Sequence, residues 1–510
     1  MKSQFDLLII GGGVNGAGIA RDAAGRGMSV LLVEANDLAS ATSSASTKLV
    51  HGGLRYLEYF QFRLVRESLK ERETLLGLAP HIIRPMDFVL PHGAGVRPAF
   101  IVQIGLWLYD RLGRRDRLKG SGRINLRNHQ FGWCLQEKYK AGFTYADCWV
   151  DDARLVVLNA LDASELGAGI MTYTTCTGLR VVDGLWEAEL MDSASGGFQT
   201  VRASMVVNAA GPWVHSILDG NGLVRKGKTP KIRLVKGSHI IVPKIFDRSQ
   251  AYILQQPDRR IVFAIPYEEQ YTLIGTTDVD YVGDPGRPEI DDAEKKYLCD
   301  AVNRYFKTAI TEKDIVHTYS GVRPLIDDGK GNASAVTRDY HLDLETSFGP
   351  PIVSVFGGKI TTYRKLAESV MDIIVPHWSR RDDHPGATLR WTDTVPLAGG
   401  DMLDGDFDAF LKDQKKKYGW LPESLLLRYA RAYGTRMDRF LAGATGIESL
   451  GAHFGCGVYQ AEIDYLTHRE FARTVDDVLW RRTKLGLHID QETVKNIDSY
   501  INRGKIKTTN

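Results

Sequence analysis

Hydrophobic residues open the chain and then give way to glycine. The run from Phe5 to Ile10 is mostly apolar, GGGVNGAGIARDAAGRG follows at 11–27, and SVLLVE at 29–34 is apolar again up to its last residue. A short hydrophobic run bounded by glycine is typical of a parallel strand that is covered on both faces. The pattern therefore predicts a strand, a glycine turn, a helix and a second strand that ends at Glu34.

The same sequence of elements returns further along the chain. Residues 199–213, QTVRASMVVNAAGPW, predict a strand that ends at Gly211, and residues 351–370, PIVSVFGGKITTYRKLAESV, predict a strand, a glycine turn and a helix that begins near Thr361 or Thr362. Between them, residues 232–345 alternate as antiparallel strands do, and from about residue 395 helical periodicity with alternating charge takes over. Residues 63–80 have the spacing and charge alternation of a surface helix.

These patterns predict an α/β fold with three domains. A Rossmann-like domain would comprise residues 1–80, 150–230 and 335–375, with an inserted antiparallel-sheet substrate domain at 81–149 and 231–334. A helical C-terminal domain would follow at 390–510.

The glycines of the first unit have the spacing G-x-G-x-x-G, at Gly11, Gly13 and Gly16. In such a unit the first glycine makes the tight turn, the second lets a pyrophosphate approach the backbone, and the third lets the helix pack closely. Glu34 stands where a carboxylate accepts hydrogen bonds from an adenosine ribose. We therefore predict a dinucleotide-binding unit; the alternative is a glycine turn without a ligand.

Composition excludes several classes of protein. The chain has 510 residues, 43% of them hydrophobic, which is enough for two or three folded domains. Its 65 Lys+Arg against 62 Asp+Glu give a net charge of +3, too small to favour nucleic-acid binding. Five cysteines without a C-x-x-C pair predict neither a disulfide framework nor a metal site. The N-terminus runs directly into the first strand, so we expect no signal peptide and a protein that stays in the cytoplasm.

Residues 97–119 have the most unusual local composition. Ala99 to Tyr109 is apolar except for Gln103, and a cluster of cations follows. The segment is too short to span a bilayer but suits its surface, with Trp107 and Tyr109 at headgroup level and the cations on anionic lipid. The alternative is a buried helix followed by a solvated basic loop. The cations are Arg111, Arg114, Arg115, Arg117 and Lys119.

Small polar residues fill the stretch after Glu34, NDLASATSSASTKLVHGGLRY at 36–56. Such residues let the backbone lie close to a flat ligand, which His51, Arg55 and Tyr56 would then face; the alternative is a flexible linker. Arg323 and Arg338 each follow a turn, and each is either a salt-bridge partner or an anion ligand.

Taken together, the motifs resemble those of the FAD-dependent respiratory glycerol-3-phosphate dehydrogenases of bacteria, in the D-amino-acid-oxidase-like group of flavoproteins. The resemblance extends along nearly the whole chain and implies oxidation of sn-glycerol 3-phosphate at C2 by hydride transfer to FAD, giving dihydroxyacetone phosphate. The electrons would pass to a membrane quinone, ubiquinone. The motifs are GGGVNGAGIARDAAGRG, ATSSASTKLVHGGLRYLE, DCWVDDARLV, NAAGPWV, KGSHIIVP, IGTTD, YSGVRPL and FGGKITTYRKLAE.

The resemblance also implies which residues form the site. Substrate would be bound by cations and a tyrosine, and His51 would be the catalytic base, because Lys359 could act near neutral pH only if it were desolvated. Arg323 and Lys359 would orient the reacting oxygen. The implied substrate ligands are Arg55, Tyr56, Arg323, Arg338 and Lys359. The implied cofactor ligands are Gly11, Gly13, Gly16, Glu34, Ser43, Ser44, Ser46, Lys48, Gly52, Gly211, Gly358, Thr361 and Thr362.

The implied partners are the quinone and an anionic lipid surface, at the cytoplasmic face of the bacterial inner membrane, with a homodimer as the expected assembly. Two rival interpretations stay open. The first is a glycerol-3-phosphate oxidase that delivers electrons to O₂. The second is a regulatory or scaffold protein in which FAD is structural.

Overall fold

The computed structural model describes residues 3–93, 97–113, 115–327 and 338–508. Arg114 of the basic cluster and the domain boundary expected between residues 334 and 335 lie outside the described residues.

The described elements alternate between strands and helices up to residue 374 and are mainly helical after it. The strands are β1 (Gln4–Ile10), β2 (Val30–Val33), β3 (Leu49–Val50), β4 (Ile83–His92), β5 (Gly122–Asn125), β6 (Ala141–Val150), β7 (Gly169–Met171), β8 (Thr174–Val182), β9 (Leu185–Asp192), β10 (Phe198–Asn208), β11 (Ile232–Pro243), β12 (Ala251–Gln255), β13 (Ile261–Tyr267), β14 (Tyr271–Gly275), β15 (Val279–Asp280), β16 (His317–Ile326), β17 (Tyr340–Glu345), β18 (Ile352–Gly357), β19 (His453–Gly455) and β20 (Val458–Tyr459). The helices are α1 (Val14–Gly25), α2 (Phe62–Leu78), α3 (Ala99–Leu112), α4 (Asp152–Glu165), α5 (Val214–Gly220), α6 (Asp292–Asn303), α7 (Tyr363–Ile374), α8 (Phe407–Lys417), α9 (Glu423–Tyr433), α10 (Asp438–Leu441), α11 (Gln460–Arg469) and α12 (Gln491–Thr508).

The first sheet has the strand order β17-β18-β10-β1-β2-β7, and the hairpin of β8 and β9 continues from β10. β1 pairs in parallel with both β2 and β10, and β10 pairs in parallel with β18. The carboxyl ends of these strands therefore meet at one edge, where a ligand of an open α/β sheet binds. The turns at Gly11, Glu34, Gly211 and Gly358 all follow strands at this edge.

Helix α1 covers the first sheet and packs against α4 and α7. The turn before it needs glycine twice. Gly11 has φ +114°, a conformation that side chains rarely adopt, and a Cβ on Gly16 would lie 1.9 Å from the carbonyl oxygen of Gly11. The predicted strand, glycine turn, helix and strand at the start of the chain are confirmed.

The second sheet runs β15-β11-β14-β13-β12-β4-β6-β3, with β16 on β11 and β5 on β6. Its described pairs are antiparallel except for β12 and β4, which run in parallel. The predicted inserted antiparallel sheet is confirmed apart from this pair, where β4 and β12 come from two separate insertions and meet edge to edge. β3, which lies only fifteen residues after Glu34 along the chain, belongs to this sheet and carries the chain from one sheet to the other.

The helix predicted at residues 63–80 is confirmed, but it is mostly buried rather than on the surface. Helix α2 buries Glu71 and Arg72 as well as its leucines, because both charges have partners on neighbouring elements. Arg364 of α7 donates to both oxygens of Glu71, at 2.6 and 2.7 Å, and Arg72 donates to Asp147 of β6 at 2.6 Å. Alternating charge along a helix thus marks buried ion pairs here rather than a solvated face.

The helical C-terminal region has its own core and docks on the first sheet through buried ion pairs. Arg482 donates to the two oxygens of Asp37 at 2.8 Å each, and Arg154 of α4 pairs with Glu470. The α/β class with an inserted sheet and a helical C-terminal domain is confirmed.

Candidate active site

A cavity of about 1080 Å³ opens at the carboxyl edge of the first sheet and extends between the two sheets. Most of the residues that the sequence indicated line it, although they are spread along the chain from residue 11 to residue 359. The predicted residues in its wall are Gly11, Gly13, Glu34, Ser43, Ser46, His51, Arg55, Tyr56, Gly211, Arg323, Arg338, Gly358 and Lys359.

The remaining predicted residues lie behind this wall. The Lys48 ammonium is buried and donates to both oxygens of Asp152, at 2.8 and 2.9 Å, and to the carbonyl oxygen of Ser44. Lys48 therefore braces the loop from behind instead of facing the cavity. The others behind the wall are Gly16, Ser44, Gly52, Thr361 and Thr362.

One end of the cavity has the form of a dinucleotide cradle. Glu34 accepts from the backbone N–H of Gly12 at 2.6 Å, and Ser43 accepts from the N–H of Val14, the first residue of α1, at 2.9 Å. The Asn15 side-chain oxygen is buried there and has no hydrogen-bond partner among the described residues. A helix N-terminus fits the pyrophosphate of a dinucleotide such as FAD, and the carboxylate at the next strand end and the unsatisfied amide oxygen fit its hydroxyl donors.

The other end holds a cluster of arginines around one carboxylate. Asp278 accepts from Arg323 at 2.6 Å and from Arg338 at 3.3 Å, and Arg55 lies 3.8 Å from its second oxygen. Three guanidinium groups thus share one carboxylate in the cavity wall. Such a cluster has the chemistry that suits a phosphate dianion, because guanidinium groups bond two phosphate oxygens at once.

Asp278 was missed by the sequence analysis. It ends the motif IGTTD that carried the family resemblance, and an acid directly after two threonines at a strand end was the available signal. The arginines come from three elements, so only the folded chain shows that they share this acid.

His51 and Lys359 lie together in the wall beside Tyr56. Lys359 Nζ donates to the carbonyl oxygen of His51 at 2.5 Å and lies 5.4 Å from the centre of the Tyr56 ring. Enclosure in the cavity wall lowers the pKa of Lys359 to about 7, with Asp147 opposing the shift and Arg72 adding to it. Burial, together with Lys359 and Arg72, lowers the pKa of His51 well below its usual 6.5. Both side chains are therefore available in their neutral forms near neutral pH.

The mouth of the cavity is apolar and exposed. Residues 100, 104 and 107 of α3 lie on one face of that helix, where Phe100 is 65%, Ile104 61% and Trp107 53% exposed. Phe60 and Phe62, before and at the start of α2, extend this patch, and both line the cavity together with Ile104. The expectation for Tyr109 was wrong: it is 0% exposed, because residues 102, 106 and 109 form the opposite, buried face of α3.

The cations at the end of α3 and just after it have local partners. Arg115 pairs with Asp110, and Arg111 lies 4.1 Å above the Trp107 ring. Within the described ranges, no helix combines the length and the apolar character needed to cross a membrane.

Comparison with known proteins gives the family. Residues 6–364 match the family model described as FAD dependent oxidoreductase, and residues 390–502 match the C-terminal domain of alpha-glycerophosphate oxidase. The two matches cover the cavity, the arginine cluster and the helical C-terminal domain.

Relatives of nearly the same length are also known. The chain is 50% identical to a D-erythritol 1-phosphate dehydrogenase of Brucella abortus, over 95% of each chain. It is 48% identical to a glycerol-3-phosphate dehydrogenase of Pseudomonas aeruginosa, over 98% of this chain and 96% of the relative.

A solved structure of a glycerol-3-phosphate dehydrogenase is also similar to this chain. The glycerol-3-phosphate dehydrogenase from Bacillus halodurans complexed with FAD is similar at 27% identity with a TM-score of 0.75, covering 98% of this chain and 94% of the other. The family resemblance and the FAD cofactor predicted from the sequence are confirmed: the chain belongs to the FAD-dependent oxidoreductases, in the branch that contains the glycerol-3-phosphate dehydrogenases.

Proposed function

We propose that this enzyme oxidises the secondary alcohol of a polyol phosphate, with sn-glycerol 3-phosphate as its substrate and dihydroxyacetone phosphate as its product. One observation carries the proposal: Arg338 of the arginine cluster around Asp278 interacts with Tyr56, and the Tyr56 ring in turn lies beside Lys359, which donates to the His51 carbonyl oxygen. A phosphate on the arginines leaves the neighbouring carbons within the part of the cavity that these proton-transfer groups face.

The arginines supply most of the recognition. Substrate phosphate replaces part of the Asp278 interactions of Arg323 and Arg338, so charge-assisted bonds are exchanged rather than created from solvated groups. An uncharged polyol makes no such exchange. The site is therefore selective for the phosphate ester over the free polyol.

The alcohol proton needs an acceptor when the hydride leaves, and FAD supplies the hydride acceptor. His51, the base expected from the sequence, remains one proposed acceptor, but burial, together with Lys359 and Arg72, lowers its pKa and makes it a weak base. Lys359 is the second, because its desolvated amine has a pKa of about 7, near the optimum for a base at neutral pH. The side chain that does not take the proton orients the C2 oxygen.

D-erythritol 1-phosphate is a second candidate substrate. The relative that is named for it is 50% identical to this chain over 95% of both chains. It offers the same phosphate to the arginines and differs from glycerol 3-phosphate by one additional CHOH group.

We further propose that the electrons pass to a membrane quinone, ubiquinone, at the apolar mouth. The exposed face of α3 and Phe60 would lie on an anionic lipid surface at the cytoplasmic face of the inner membrane. These residues form an exposed apolar surface that continues into the cavity, so a quinone could enter from the lipid.

A homodimer remains the proposed assembly, and light scattering of the detergent-solubilised protein tests it.

The decisive experiment is anaerobic reduction of the bound flavin. We expect sn-glycerol 3-phosphate to bleach the FAD absorbance of the holoenzyme, whereas glycerol with inorganic phosphate leaves it unchanged. A titration with D-erythritol 1-phosphate, compared by kcat/KM, decides between the two substrates. No bleaching by either ester would refute the proposal and favour a structural flavin.

Electron acceptors separate the remaining alternatives. After reduction, a soluble ubiquinone analogue should reoxidise the flavin faster than air does. Faster reoxidation by O₂ with release of hydrogen peroxide would identify an oxidase instead.

A further inference from the structure

A buried carboxylate lies directly behind the turn that carries His51. Asp147 of β6 is 1% exposed and collects hydrogen bonds from three other elements. Tyr109 of α3 donates to it, at 2.8 and 2.9 Å from its two oxygens, and Arg72 of α2 donates at 2.6 Å. The third donor is the backbone N–H of Gly52, at 3.3 Å. Each of these partners lies outside the cavity wall, so the cluster is not part of the surface that contacts substrate.

The Gly52 bond connects this cluster to the site through a single peptide group. The N–H of Gly52 and the carbonyl of His51 belong to the same peptide unit, and that carbonyl oxygen accepts from Lys359 Nζ. Asp147 therefore bonds one edge of the peptide plane, and Lys359 bonds the other. A hydrogen bond on the N–H polarises the carbonyl and strengthens it as an acceptor.

Packing leaves this peptide little freedom. A Cβ added to Gly52 would lie 2.5 Å from the Tyr109 hydroxyl and 2.5 Å from a methyl of Leu69. Rotation of the peptide out of its present plane would break the bond to Asp147 and move the oxygen that Lys359 contacts.

We infer that Asp147 is a positioning residue for the proposed reaction: it fixes the His51–Gly52 peptide, whose carbonyl oxygen aims the Lys359 amine into the cavity, and Tyr109 and Arg72 hold Asp147 in place. The inference rests on the proposed function where it is tested by flavin reduction, but the test by hydrogen exchange does not depend on that function. It gives the buried end of α3 a role in the chemistry although α3 contributes no proton-transfer group.

The chain contains a matched control. In the C-terminal domain, Glu462 is 0% exposed, accepts from the Tyr433 hydroxyl at 2.6 Å, and pairs with Arg428. Tyr433 and Tyr109 are both 0% exposed. Tyr109→Phe and Tyr433→Phe therefore each remove a tyrosine hydrogen bond from a buried carboxylate. Only the carboxylate that Tyr109 bonds, Asp147, lies behind the His51 turn.

The first test measures the turn without any substrate. Hydrogen exchange of the holoenzyme is followed in the peptide that contains Gly52, with peptides of the C-terminal domain as an internal reference. We expect Tyr109→Phe to speed exchange there on the order of tenfold, the effect of losing a hydrogen bond to a charged group, and Tyr433→Phe to leave it unchanged. Unchanged exchange in Tyr109→Phe would overturn the inference.

The second test measures single-turnover flavin reduction by whichever ester reduces the native enzyme. We expect Tyr109→Phe to keep its FAD spectrum and to slow reduction on the order of tenfold, since small displacements of a reacting group cost that much. Tyr433→Phe should stay within about twofold of the native rate. Equal slowing in both variants would mean a general loss of stability and would also overturn the inference.

Asp147→Asn adds a pH readout. The ionisable groups facing Lys359 are His51 and Tyr56 on the turn side, Arg72 from α2 and Asp147 from β6. Removing the only carboxylate among these leaves the cations unopposed, so the ionisation seen in the rate profile should move to lower pH. A profile that stays in place with a native rate would contradict the inference, and Tyr109→Phe decides the matter if Asp147→Asn does not fold. If no ester reduces the native enzyme, the proposed function fails by itself, and the exchange experiment still judges the positioning role.

Discussion

Replacement of Arg482 by methionine should loosen the cofactor site, although Arg482 belongs to the neighbouring C-terminal domain. Arg482 is 0% exposed, and its guanidinium makes two parallel bonds of 2.8 Å to Asp37, in the loop that follows Glu34. The variant keeps an unbranched apolar side chain but removes the guanidinium group, with its charge and its bonds to Asp37 and to the Glu470 carbonyl oxygen. We expect weaker docking of the C-terminal domain and faster loss of FAD.

The size of the effect follows from burial. Removing one partner of a buried pair costs about 3–5 kcal/mol, because the other charge stays in a medium of low dielectric constant. Asp37 retains a bond from Arg481, so the lower limit applies, about 3 kcal/mol. At about 1.4 kcal/mol for each factor of ten, the ratio of docked to undocked domain falls on the order of a hundredfold.

The assay is release of flavin on heating, followed by its fluorescence, together with the rate of proteolysis within residues 36–47. Arg473→Met is the matched control, because Arg473 joins the same two domains through a partly exposed pair with Asp192 at 3.4 Å. That pair is worth about 0–1 kcal/mol. If both variants release FAD at the same temperature, buried charge does not hold the domains together and the reasoning is wrong.

Three further predictions concern the site and the surface. Lys359→Met should raise the thermal midpoint, because the native lysine has a pKa of about 7 when folded and 10.5 when unfolded. The buried lysine therefore destabilises the folded protein fully below pH 7, and this destabilisation disappears as pH rises to 10.5. The melting curves of the variant and the native protein should converge over that window. The same variant should lose the ionisation near pH 7 from its rate profile, and a retained inflection would exclude Lys359 as its source. Gly16→Ala should abolish FAD binding in an absorbance assay, because the added Cβ would lie 1.9 Å from the carbonyl oxygen of Gly11. The control Gly105→Ala, in α3, should bind FAD normally, because a Cβ there meets no atom within 4 Å. Ile104→Glu should reduce co-sedimentation with anionic vesicles several-fold, whereas Val282→Glu, at an exposed apolar residue away from α3, should not; equal binding of the two variants would argue against the α3 surface.

Local spacing was sufficient for the cofactor half of the site. The glycine turn, Glu34 and the strands around them depend on residues within about thirty positions of each other, and their physical requirements are met by few residue types. The same holds for the Gly357-Gly358 turn and the helix after it. For this reason the sequence could predict both the dinucleotide unit and the strand, glycine turn and helix near residue 360.

Charged residues were harder to interpret. From the sequence, Lys48 was expected to bind the cofactor and Arg72 to lie on a surface helix. Both instead form buried ion pairs with carboxylates that are distant in the sequence. Conversely, Arg323 and Arg338 could each have been an ordinary salt-bridge partner until the fold gathered them with Arg55 on one acid. The function of a charged side chain depends on the group it pairs with, and only the tertiary structure determines that group.

The sequence by itself determined the α/β class, the FAD turn and the residues that resemble a family, since these depend on short periods and on glycines that no other residue replaces. Only the tertiary structure decided which face of α3 is exposed, that Asp278 collects three arginines, and that Asp147 stands behind the His51 turn. The physical reason is distance along the chain. Hydrogen bonds and ion pairs act over about 3 Å in space, whereas their partners here lie between roughly forty and more than two hundred residues apart in sequence.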